Sequence, residues 1–138
     1  MTLKTSHRDI GRPLDAPLLT FDLPALLEKV KSEADWRKNE RNSMTLHKSP
    51  GLRVILVAMH AGTAILTHTA AYPFSLQLID GRIRFTAGKQ TTTLGRGELL
   101  TLHAGIPHDL VAMEQSAFLL TLAAGNEHPA QSAVAMRK

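Results

Sequence analysis

The chain has 138 residues, 43% of them hydrophobic, which is enough for one domain with its own core. It has no cysteine, so disulfides and thiolate metal sites are excluded, and any metal would have to be held by the seven histidines or by Asp and Glu. The net charge of +4 is spread along the chain and alternates with acids between Glu28 and Arg41, a solvated pattern that argues against a nucleic-acid interface, and no apolar run reaches the length of a membrane span.

Residues 1–20, with Pro13 and Pro17 and few periodic apolar positions, are expected to form an extended N-terminal arm, and Met1 to Asp15 has no stretch like a signal peptide. A soluble, cytoplasmic protein is therefore expected. Asp22 offers an N-cap and Pro24 suits a first turn, while Leu23, Leu26, Leu27 and Val30 recur at helical spacing, which predicts one helix over 23–35. Trp36 is expected to anchor that helix on a sheet.

From Ser43 the texture becomes short runs rich in Val, Ile, Leu and Thr, broken by turn signals. Strands are predicted near 43–48, 52–60, 64–69, 74–79, 82–87, 90–94, 98–103, 107–113 and 116–123, an all-β sandwich or barrel. Asp80-Gly81 between two apolar runs predicts a two-residue type I′ hairpin. Its register would pair Leu78 with Ile83, Leu76 with Phe85 and Phe74 with Ala87 on a buried face, and Gln77 with Arg84 on an outer one. Ser116 to Ala123 is apolar on both faces, so its outer face needs cover from the helix, another sheet or a second subunit. A homodimer is the expectation. Residues 125–138 read as a C-terminal tail, leaving a domain over 21–124.

With Gly62, His68, Gly81, Gly97, Gly105 and His108 in place, the segment from Gly62 to Ala112 resembles the cupin superfamily, the RmlC-like cupins, whose motifs are G-x5-H-x-H-x3-4-E-x6-G and G-x5-P-x-G-x2-H-x3-N. The resemblance implies an all-β double-stranded β-helix, the cupin jelly-roll barrel. It also implies a divalent metal such as Fe, Mn, Ni or Zn, held by two histidines and a glutamate of the first motif and the histidine of the second. Here Ala70 stands at the second histidine, Phe74 at the glutamate, His103 at the proline and Ala112 at the asparagine.

Two of the four implied ligands are thus missing. His103, two residues before Gly105, is the candidate third ligand beside His68 and His108, because three imidazoles suffice for a transition metal. The alternative role for His103 is to cap a turn at the barrel rim. Parity does not place His60, whose strand is apolar on both faces, while His47 is expected to point outward. The expected function is therefore to bind a small molecule, with His68, His103 and His108 at the polar end and Phe74, Leu76 and Phe85 along the apolar wall. The alternative is a metal-dependent cupin enzyme of the oxygenase or isomerase type using the three histidines.

Overall fold

The computed structural model describes residues 12–124. The calls for residues 1–11 of the arm and for the tail 125–138 lie outside the described residues, as do His7 and His128. The arm from Arg12 runs along the first strand, where Leu14 O accepts from Lys48 N at 2.9 Å and Arg12 Nη2 donates to Thr45 O at 2.9 Å.

The Asp22 carboxylate accepts from Ala25 N at 3.1 Å and starts helix α1, Leu23–Ser32. The predicted single helix then breaks. Glu33 takes an extended backbone (φ −81°, ψ 153°) before a second short helix, α2, Ala34–Lys38. Asn42 accounts for the break, because its Nδ2 donates to Val30 O at 3.0 Å and to Glu33 Oε1 at 2.9 Å, holding the end of α1 and the buried Glu33 side chain. Both groups are buried, so leaving either unmet would cost more than one turn of helix.

Nine strands follow: β1 Arg41–Ser49, β2 Leu52–Met59, β3 Ala64–His68, β4 Phe74–Asp80, β5 Arg82–Ala87, β6 Gln90–Gly95, β7 Leu99–Leu102, β8 His108–Ala112 and β9 Ser116–Ala123. They form two antiparallel sheets. Sheet A has the order β1-β2-β9-β4-β7, and sheet B the order β3-β8-β5-β6.

The expected β4–β5 hairpin does not form: β4 pairs with β7 and β9, whereas β5 pairs with β6 and β8 in the other sheet. A type I′ turn needs positive φ at both central residues, and only Gly81 has it, at +91°. Asp80-Gly81 is instead a crossing between sheets. A Cβ at Gly81 would stand 2.7 Å from Ser116 Cα, so the crossing packs directly on the start of β9. The predicted faces survive the change of partner. Phe74, Leu76, Leu78, Ile83 and Phe85 are all buried, while Gln77 and Arg84 are exposed, though on different sheets and therefore not a cross-strand pair. Each strand keeps its own alternation whichever neighbour it takes.

Inside the barrel, rows of side chains run across each sheet. At one end Leu78, Phe118, Ile83 and Ala112 are fully or almost fully buried. At the other end Leu102, Leu122 and Ala87, on the same inner face, are only partly buried. The barrel is thus packed solid at one end and open at the other. On the outer face of sheet A, Met44, Leu46, Leu56 and Ala58 pack with Val30 and Trp36 from the helices, with Leu119 and Ile79 at the edge. The outer face of β9 is thus covered at Leu119 by the helix pair, one of the three covers its sequence called for.

Candidate functional site

His68 and His108 meet at the open end of the barrel. They are cross-strand partners in β3 and β8, with ring centroids 4.3 Å apart. From Ile65, which faces inward opposite Leu110, strict alternation would turn His68 outward. An irregularity between Ile65 and His68 supplies an extra residue and returns His68 to the inner face.

Both rings are oriented in the same way. His68 Nδ1 donates to Leu66 O at 2.8 Å, and His108 Nδ1 donates to Ile106 O at 2.9 Å. A carbonyl can only accept, so Nδ1 carries a hydrogen in each ring, and in the neutral tautomer this leaves the lone pair on Nε2. His108 is 4% exposed and lies between two aromatic rings, Phe74 at 5.1 Å and Phe85 at 5.6 Å between centroids. His68 is half-buried and lies nearer the mouth.

Phe74, at the motif's glutamate position, is buried and faces inward, filling that place with an apolar ring. Leu76 lies one row deeper and is 1% exposed. His103 follows Leu102, the inward partner of Phe74, and is exposed at the rim. It is not brought to the other two histidines. Among the described residues no three His, Asp or Glu side chains stand together in a way that could hold a metal ion. A catalytic metal needs about three protein ligands, so the described donors do not fit such a centre.

His60 belongs elsewhere: its ring stacks on Trp36 at 3.6 Å, and Nε2 donates to Trp36 O at 2.8 Å. It fastens α2 to the end of β2, which fits Trp36 as a packing anchor. His47 is on the outer face, bonded to Ser49 Oγ at 2.7 Å.

One side chain at the open end escaped sequence reasoning. Arg53 is the cross-strand partner of Leu122, whose side chain packs on the barrel core, so Arg53 leaves β2 on the same inner face. Its signal was a lone cation in an apolar strand, but the parity of Leu52 to Met59 could not be assigned before β9 was known as its partner.

No family profile matches the sequence, and no curated protein is significantly similar to it. Among solved structures, a cupin superfamily protein from Desulfitobacterium hafniense superposes with TM-score 0.61 at 18% identity, covering 63% of this chain and 80% of that one. The chain has the cupin fold. A conserved Streptococcus pyogenes protein of unknown function superposes on the chain with TM-score 0.61 at 22% identity, over 86% of this chain and 96% of the other. A salicylate 1,2-dioxygenase variant from Pseudoaminobacter salicylatoxidans gives 0.68 at 14% identity, over 80% of this chain and only 36% of the larger protein. No described helix is long and apolar enough to cross a membrane.

Proposed function

We propose that this cupin binds a small molecule at the open end of its barrel, with His68 and His108 as polar contacts, Phe74, Leu76 and Phe85 as the apolar wall, and His103 at the rim. The observation carrying this reading is the touching imidazole pair, set against buried Phe74 and Phe85 and beside the partly buried Ala87, Leu102 and Leu122. Small-ligand sites combine such an apolar wall with a few convergent polar groups.

A screen of small amphipathic compounds followed by NMR of the histidine imidazoles tests it. Binders should move the His68 and His108 resonances first and leave His47 and His60 in place. Shifts confined to His47 or His60, or no binder from a broad screen, would reject the reading.

The alternative, a metal-dependent oxygenase or isomerase, has the fold and the paired imidazoles of His68 and His108 in its favour, with His103 standing apart from them at the rim. Metal analysis of untagged protein purified without chelators separates the two. A stoichiometric transition metal lost in both His68→Ala and His108→Ala would replace the binding reading with a metal-dependent enzyme. A cytoplasmic homodimer completes the proposal. The support for the dimer is Leu99, 57% exposed beside Gln77 on the part of sheet A that the helices leave uncovered.

A further inference from the structure

The geometry points to a carboxylate as the group this barrel selects, with Arg53 as the residue that recognises it. The inference rests on the open-end binding site proposed above and adds the chemical class of its ligand: an organic monocarboxylate with an apolar body.

Arg53 and the histidine pair occupy the same level of the barrel. Phe74, Leu122 and Arg53 form one cross-strand row on the inner face of sheet A, through the pairs Phe74 with Leu122 and Leu122 with Arg53. Phe74 touches the His108 ring at the other sheet, which puts this row opposite the row containing His68 and His108. The short link from β2 to β3 lays β3 over the β2 side of sheet A. His68, at the far end of β3 from that link, therefore lies on the same side as Arg53, at the far end of β2.

The charge on this inner surface has one sign. Following the strand registers, the inward positions of the nine described strands contain Arg53, Lys48 and Arg41 but no Asp or Glu. No hydrogen bond or ion pair joins the Arg53 side chain to another described residue, and it is half-buried beside Leu122 and Ile55. A guanidinium beside an apolar wall has its stem packed and its planar donor fork available, a geometry that matches a carboxylate with two parallel hydrogen bonds. The same fork could grip a phosphate, but a dianion is usually met by further donors such as a nest of backbone amides or a helix N-terminus, and both helices lie on the outside of sheet A. The two imidazoles and the rings of Phe74 and Phe85 would then meet the body of the acid.

The test is an NMR titration of the full chain with hexanoate and benzoate, each matched with its neutral amide, hexanamide and benzamide. Wild-type protein should bind the acids more tightly than the amides, with shifts at His68, His108 and the Arg53 Nε resonance. In Arg53→Gln, acid affinity should fall about tenfold to a hundredfold, the worth of a charge-assisted hydrogen bond, while amide affinity stays the same. Arg53→Lys should keep part of the preference. Amides bound as tightly as acids, or acid binding unaltered in a folded Arg53→Gln, would overturn the carboxylate assignment and leave the binding site standing. Equal competition by inorganic phosphate would also overturn it. Failure of both acids and amides to reach the histidine pair would reject the site and this inference together.

Discussion

His108 is held from several directions at once: a backbone carbonyl accepts a hydrogen bond from its Nδ1, and Phe74, Phe85 and His68 surround the ring. Such a ring has few alternative rotamers, which suits a group that must present one nitrogen to a ligand. Phe85 contributes both to this packing and to the barrel core, being 3% exposed. Phe85→Ala should therefore cost about 3–5 kcal/mol of stability in urea denaturation, and should weaken any ligand that shifts the histidines. Gly81 is constrained by its backbone conformation and by its neighbour. With φ of +91° and Ser116 against it, Gly81→Ala should destabilise by more than about 1 kcal/mol, with a lower denaturation midpoint at unchanged slope.

At the scale of elements, the helix pair is a cover for sheet A, fixed at two points. One is the Trp36–His60 stack and the other is the bond pair from Asn42 to Val30 and Glu33. Asn42→Ala leaves the Val30 carbonyl and the Glu33 carboxylate without this donor, and should cost about 1–3 kcal/mol. The same variant should speed amide hydrogen exchange in α1 and α2 while the β4 and β9 amides stay protected. Uniform loss of protection across both helices and strands would mean that the helices are part of the barrel's cooperative unit. The crossing at Asp80-Gly81 has a related role: by sending β5 to sheet B it lets β8 lie beside β5, and so brings His108 against Phe85.

Over the whole molecule, sheet A has an outer face only partly covered. The row Leu99, Gln77, Leu119, Leu56 and Met44 is buried under the helices at Met44 and Leu56 and ends in exposed Leu99. Light scattering at micromolar concentration should give the mass of a dimer, and Leu99→Glu should shift it toward the monomer. A monomeric wild type would remove the homodimer from the proposal.

Much of this protein was legible from its residues alone. Alternation within each run told which side chains face inward, because a strand's pleat fixes its two faces whatever it pairs with; Phe74, Leu76, Leu78, Ile83 and Phe85 are inside for that reason. The spacing of Gly62, His68, Gly97, Gly105 and His108 carried the resemblance to the cupin barrel, and each glycine named marks a turn with positive φ. Strand partners were not legible, because pairing is a contest among distant segments decided by closure of the whole barrel. Asp80-Gly81 thus read as a hairpin and proved to be a crossing. The same limit applied at the site. His68 needed a β3 irregularity to face inward, Arg53 needed β9 to define its face, and His103 needed the rim's position to be separated from the other two histidines. Local chemistry determined what each residue could do, and only the tertiary structure decided which of them stand together.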